Sequence, residues 1–387
     1  MRRILEPVDD YQPVPVFLPQ IGDAENAAVL AALKVGYLGL GPATTRFEAG
    51  LSSWLGLAAG RSITATSSCT AALHLAALLA GAGPGTEVIC PSFTYVAAHQ
   101  AVSMTGADVV FCDIHPDTLA IDPERVAELV TDRTVAVMTC HYAGHVGGIE
   151  ALYSVARQHG LRVIEDAAHA LGSLLPDGRA VGAAGDLVAF SFGPVKTITT
   201  LEGGALLTSD PHEDRLNRER RMLGADMDLD ARMTQERFWE YYVVRQGYRY
   251  HLGTVPASVG LAQLEQLDEF VLRRRQYCAQ FDRELRDVSG LQVMGWDWSR
   301  IGPFIYVVQV EPADRDALLA HLRGRGIAAN VHWGQGGHAF TQYRNARRGD
   351  LAVTERACQR VVTLPLWSHM PDHVRTRVIE GVRSFYG

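Results

Sequence analysis

Between Ile63 and Asp210 six short apolar runs, EVICP, DVVFCDI, TVAVMTC, RVIED, LVAFSF and GALLTSD, alternate with amphipathic stretches. Near-continuous apolar runs of this length read as strands buried on both faces, and the stretches between them as the helices that return the chain. The alternation predicts an α/β domain with a largely parallel central sheet. Helices are expected over Thr70–Ala80, Thr94–Thr105, Pro123–Val130 and Ile149–His159, the last stopped by Gly160. Ser209-Asp210-Pro211 opens a further helix with Asp210 as its N-cap.

The spacing of Leu261, Leu264, Leu267 and Val271 predicts one long amphipathic helix over Val259–Leu285 that connects two domains. Beyond it come a strand (FIYVVQV), a helix (DRDALLAHLRGRG), a strand (IAANVHW) and a last helix from Asp372 to Phe385, the pattern of a smaller α+β domain. A chain of 387 residues is long enough for two compact units, and 47% hydrophobic against 20% charged residues supplies the apolar mass for their cores. The stretch Ala225–Val244, polar and then aromatic, fits neither helix nor strand.

A formal charge of −7, from 36 basic and 43 acidic residues, lacks the footprint of a protein that holds nucleic acid or an anionic membrane. The start, MRRILEPVDDYQPVPVF, meets acids and prolines before any apolar run. Neither a signal peptide nor a spanning helix is expected there, and a cytoplasmic address follows. The six cysteines are scattered without a CxxC pair, so no metal site and no disulfide framework is expected.

Three segments carry chemistry. Asp166 ends the run RVIED, at the strand end where open α/β sheets place their ligand crevice. Lys196 follows LVAFSF in a loop with Gly193 and Pro194, amid the neutral Thr197, Thr199 and Thr200 and with no acid until Glu202. In TATSSCTAALHLAALL a strand runs through Ser67, Ser68, Cys69 and Thr70 into an apolar helix, whose N-terminal N–H groups and hydroxyls suit a phosphate. Singly these read as a buried acid, a surface lysine and an ordinary helix cap. Together they supply what pyridoxal 5′-phosphate (PLP) requires: an amine for a Schiff base, a carboxylate for the pyridine nitrogen and donors for the phosphate. Tyr95, after the strand end CPSF, is either a core aromatic or a ring stacked on that cofactor.

The landmarks GYLGLGPATTRFE, SSCTAALHLA, GTEVICPSFTYVA, GADVVFCDIHPDTLAID, HYAG, VIEDAAHALG, GDLVAFSFGPVKTITTLEGGALLT, GYRYHLGTVPASVGLAQLEQL, RGIAANVHW and VVTLPL, from about Pro15 to the C-terminus, resemble the nucleotide-sugar aminotransferases. These are PLP enzymes of the aspartate aminotransferase-like fold type I. The resemblance implies a large domain over residues 15–255, with a mostly parallel seven-stranded sheet flanked by helices, and a small α+β domain over 256–387. It makes Lys196 the Schiff-base lysine and Asp166 the partner of the pyridine nitrogen. His169 then lies against the cofactor, Ser68, Cys69 (through its N–H), Thr70 and Ser191 hold the phosphate, and Tyr95 stacks on the ring. It also implies a homodimer with shared sites, in which Arg249 and His251 of GYRYHLGT stand where the family more often has Asn and Arg reaching the partner's cofactor or substrate. Thr197 likewise stands where Asn is frequent. His332 and His338, in VHWGQGGHAFTQY, become substrate contacts.

Some members of that family replace the lysine by histidine and dehydrate the sugar, so Lys196 points to transamination. The implied reaction moves an amino group from an amino acid, L-glutamate, to a keto group of a nucleotide-activated deoxy sugar. A PLP enzyme acting on a cyclitol or other ketone, and a ligand-binding or regulatory protein of the same fold, are the competing readings. The sugar, the nucleotide, the carbon aminated and the stereochemistry stay open.

Other signals weigh less. His141 and His145 stand four apart in HYAGHVGG, but the glycines and the preceding strand favour a loop over a metal-binding helix. GYLGLGP lacks the third glycine and the strand of a dinucleotide fingerprint. RLNRERRM and LRRRQY read as solvated helix faces.

Overall fold

A computed structural model describes residues 13–226 and 239–387. Residues 1–12 of the N-terminal stretch and residues 227–238 of the polar-to-aromatic segment lie outside the described residues. Strands β1 (Ser62–Thr66), β2 (Glu87–Pro91), β3 (Asp108–Cys112), β4 (Thr134–Cys140), β5 (Arg162–Asp166), β6 (Leu187–Ser191) and β7 (Gly204–Thr208) form one sheet in the order β1-β7-β6-β5-β4-β2-β3. Strands β2 to β6 pair in parallel, while β7 runs antiparallel to both β6 and β1.

The continuous apolar runs follow from burial on both faces. Ile89, Val110, Val137, Val163 and Val188 enter one core, and their neighbours Val88, Val109, Ala136, Ile164 and Leu187 enter the core on the other face. Against the first core lie α2 (Pro42–Leu55), α5 (Pro123–Leu129) and α6 (Ile149–His159); against the second lie α3 (Cys69–Leu79) and α4 (Val96–Ser103). Helix α7 (Pro211–Arg221) starts where the sequence expects, with the Asp210 carboxylate accepting the His212 N–H at 2.8 Å. Helices α1 (Asp23–Val35) and α2 have no counterpart in the sequence reading: the alanine-rich α1 leaves Leu30, Leu33 and Val35 exposed, so no clear apolar stripe marks it.

Two expectations are corrected. The helix over Val259–Leu285 is two helices, α8 (Thr254–Leu264) and α9 (Leu267–Leu285), because the chain turns at Glu265–Gln266. The buried Glu25 fixes the turn, its Oε1 accepting from the side-chain amides of both Gln263 and Gln266 at 2.8 Å. IAANVHW is not a strand: Ile327 bridges to Val14 and Asn330 to Thr363, so its backbone pairs are divided between two partners.

The three-stranded sheet is instead β8 (Leu291–Val293), β9 (Tyr306–Val310) and β10 (Val361–Leu364), antiparallel in the order β10-β9-β8. With α10 (Pro312–Gly324) and α12 (Asp372–Tyr386) it encloses a further core that also takes in Val14, while α11 (Ala352–Arg360) buries Ala357 and Cys358 in an adjoining cluster with Phe93, Phe304 and Val307. Helix α9 serves both units, burying Leu267, Phe270 and Val271 in the core of the large sheet and Tyr277, Cys278, Phe281 and Leu285 in that of the small one.

The arginine-rich stretches are also corrected, since two of their cations are buried. Arg221 bonds Glu48 at 2.5 Å and the Ala65 carbonyl at 2.9 Å, and Arg274 on α9 is buried without a carboxylate.

Candidate active site

The parallel strands bring their carboxyl ends to one edge, and there a cavity of about 390 Å³ opens beside the N-terminus of α3. Asp166 enters it from the end of β5 and Ser191 from the end of β6; Lys196 follows five residues later, and Cys140 comes from β4. Parity along the strands decides which side chains arrive: Cys140 and Asp166 point to the α3 face, whereas Glu165 and His141 turn to the other.

At one end Ser68 is extended and its Oγ accepts the Ala71 N–H at 3.1 Å, so this side chain caps α3. Cys69 and Thr70, the first residues of the helix, have N–H groups without an intrahelical acceptor and both line the cavity. The positive end of the helix dipole and the Thr70 and Ser191 hydroxyls complete a seat for an anion. Strand β7 closes the seat from behind: a Cβ on Gly204 would stand 2.5 Å from the Cys69 nitrogen, so only glycine permits this approach.

Charge is held in a dry setting. Burial pushes the Asp166 carboxyl up, opposed by the Ala168 N–H, which donates to Oδ1 at 3.0 Å, and by Lys196 and His141. Burial also lowers the Lys196 ammonium to about 8, with Asp166 as the main opposing charge, followed by Cys69 and Cys140. Oδ1 of Asp166 is occupied by the Ala168 N–H and, more weakly, by the Cys69 thiol at 3.9 Å. His169 is held well below its ordinary range by burial and then by the charges of Lys196 and His332; its Nδ1 is buried without a hydrogen-bond partner. His332 is lowered to about 4 by burial and Lys196, and its Nδ1 lies 2.9 Å from the Thr363 hydroxyl. Both imidazoles are therefore neutral at pH 7.

Of the residues singled out in the sequence, Ser68, Cys69, Thr70, Tyr95, Asp166, His169, Ser191, Lys196 and His332 all line this one cavity. Tyr95 stands at its mouth, 57% exposed and 5.3 Å from the Trp333 ring between centroids. Three others do not line it. His338 is held by Ser92, with Nδ1 2.7 Å from Oγ. Arg249 and His251 lie on a stretch that bridges to Met222 and Thr66 and are not among the residues lining the cavity. The sequence reading missed Phe17, Glu202, Phe304 and Trp333. Phe304 and Trp333 stand in runs read as strands, and Phe17 near the N-terminus carries no local signal; only Glu202, close after Lys196, and Trp333, next to His332, stand near residues already singled out.

The cavity fits the cofactor that the resemblance implies. An anion seat, a buried carboxylate and an amine of lowered basicity surround a space whose wall carries an unpartnered imidazole nitrogen.

The DegT/DnrJ/EryC1/StrS aminotransferase family matches residues 19–383. Among solved structures, the aminotransferase TlmJ from Streptoalloteichus hindustanus is 35% identical with a TM-score of 0.89, over 96% of this chain and 98% of that one. DesV of S. venezuelae, solved in complex with a ketimine intermediate, is 30% identical with a TM-score of 0.86, over 97% and 99%. DesI, solved in the presence of its TDP-sugar product, is 32% identical with a TM-score of 0.85, over 96% and 93%.

Proposed function

The chain belongs to the DegT/DnrJ/EryC1/StrS aminotransferase family and is a PLP-dependent aminotransferase; from that footing we propose that it moves an amino group from L-glutamate to a keto group of a nucleotide-activated deoxy sugar. The observation that carries the reading is the convergence of Lys196, Asp166 and the open N-terminus of α3 on one cavity. The TDP-sugar product of the similar DesI supports the substrate class.

When bound, PLP supplies a carbonyl carbon that joins amines and a protonated ring that withdraws electrons from them. The chain's residues provide the rest. Cys69 and Thr70 N–H, with the Thr70 and Ser191 hydroxyls, anchor the phosphate. Asp166, whose Oδ1 accepts the Ala168 N–H, would supply the carboxylate that keeps the ring nitrogen protonated. Lys196 would hold the cofactor through its neutral amine and, when free, its Nζ would be the group that accepts and returns a proton at the donor carbon. In the second half it returns a proton to the sugar carbon. Tyr95 would cover the ring and neutral His169 would lie against it, while His332, which lines the cavity, would contact substrate; His338, held by Ser92 outside the cavity, would not.

The proposal includes a large unit over residues 15–255, a small one over 256–387, a cytoplasmic location and a homodimer. Among the described residues no helix is long and apolar enough to cross a membrane. The exposure of Tyr95 at the cavity mouth supports a second copy that completes the site. The test mixes holoenzyme with L-glutamate and then with a panel of keto-sugar nucleotides. Bleaching of the visible cofactor band by glutamate, and its return with one of the sugars, is expected; a band indifferent to every amine overturns the reading.

A further inference from the structure

Lys196 Nζ lies 3.9 Å from the centroid of the Phe304 ring, within cation–π range. That ring is 3% exposed and fixed from two sides. Phe17 stacks on it at 5.0 Å with 11° between the planes, and His169 packs against it at 4.5 Å. Phe304 belongs to the loop entering β9, so the small sheet delivers a ring to an amine carried by the large one.

The backbone of that loop is held by a cation without a charged partner. Arg274 on α9 is buried, and its guanidinium donates to the Phe304 carbonyl at 3.1 Å, the Pro303 carbonyl at 3.4 Å and Ser368 Oγ at 2.9 Å. Burial lowers it to about 10, still protonated at neutral pH. A guanidinium whose bonds among the described residues go to neutral oxygens, two of them the carbonyls of one loop, acts as a clamp on that loop.

We propose that the Phe304 ring is the seat of the Lys196 ammonium whenever the lysine is not bonded to the cofactor, and that Arg274 is the clamp that keeps the seat in place. Both are positioning residues. The seat keeps the displaced amine at one spot inside the cavity and favours its protonated form against burial. The other groups facing Lys196 are Asp166 on β5, Cys69 on α3, Cys140 on β4, and His169, His332 and Glu202 around the cavity. Among them Asp166 supplies the main opposing charge, and the two histidines disfavour the ammonium.

The inference rests on Lys196 being the cofactor lysine, but its test needs no turnover. The full chain freed of cofactor is trace-acetylated with acetic anhydride across pH, and labelling of the Lys196 peptide is followed by mass spectrometry. The midpoint is expected near 8 in the unsubstituted protein. Phe304→Leu keeps the site apolar and removes the ring, so the midpoint falls by about 0.5 to 1 pH unit, and Phe304→Tyr restores it. A midpoint unmoved or raised in Phe304→Leu overturns the seat. Arg274→Met is expected to lower it as well; loss of a nearby positive charge alone would raise it, so a rise or no change overturns the clamp. Arg274→Lys, which keeps the charge and loses the fork, gives the same reading should the Met variant not fold. Borohydride tagging of a peptide without Lys196, with the Phe304→Leu shift intact, would instead reject the cofactor assignment and leave the seat standing.

Discussion

Glu165 and Asp166, consecutive residues of β5, send their carboxylates to opposite faces of the sheet. Asp166 enters the cavity, while Glu165 receives a 2.8 Å contact from His141 Nε2 and a 2.6 Å hydrogen bond from the Tyr153 hydroxyl. The backbone N–H of His141 donates to the backbone carbonyl of Asp166 at 3.1 Å, which ties the ends of β4 and β5 together where the acid enters the cavity.

Removing one member of the buried pair His141 and Glu165 leaves the other without that partner. His141→Leu leaves Glu165 with the Tyr153 hydroxyl alone and is expected to cost about 1 to 3 kcal/mol of folding stability, measured by denaturant unfolding of the cofactor-free protein. A loss within the range of an ordinary surface substitution would show that the pair holds nothing in place.

Lys196→Ala removes the amine that bonds the cofactor and moves the proton. Turnover should fall by several orders of magnitude while the fold persists, and borohydride reduction of the unsubstituted holoenzyme should tag the peptide that contains Lys196. Near-normal rates in the variant would contradict the assignment.

Asp166→Asn keeps the shape but cannot hold a protonated pyridine by charge. A fall of about 10² to 10⁴ in kcat is expected from steady-state kinetics, with Asp166→Glu recovering part of it. Equal rates for Asn and Asp would mean that the ring nitrogen needs no anion here.

Cofactor loading should depend on pH through Lys196. Its ammonium form is lowered from 10.5 to about 8, and only the neutral amine bonds PLP. The rate of recovery of the visible band in cofactor-free protein should therefore rise roughly tenfold per pH unit below that value and level off above it. Asp166→Asn removes the charge that favours the ammonium, so its curve should shift to lower pH. A curve levelling only near 10.5 would mean that the amine is not buried.

Gly204→Ala places a methyl 2.5 Å from the Cys69 nitrogen, against backbone that cannot swing away. The helix N-terminus must move, and PLP affinity is expected to weaken by about tenfold or more, read by equilibrium dialysis. Unchanged affinity would remove Cys69 from the phosphate seat.

The large unit was legible because its signals are local. Apolar runs such as TVAVMTC and RVIED become strands wherever both faces are buried, and Ile149–His159 is bounded by Gly148 and Gly160. The break between α8 and α9 was not legible, since Glu25, far away in sequence, holds Gln263 and Gln266 at the turn. The buried Arg221 and Arg274 looked like surface charge for the same reason: their oxygen partners come from elements remote in the chain.

The succession of strands and helices along the chain, the lysine after β6, the acid ending β5 and the helix opening at Cys69 are properties of the sequence itself, because hydrophobic period and capping act over a few residues. Which side chains meet around Lys196 was decided by tertiary structure alone. Phe17, Phe304 and Trp333 join the cavity around that amine only because α9 joins two cores and sets one sheet against the other, a distance in space that no spacing along the chain encodes.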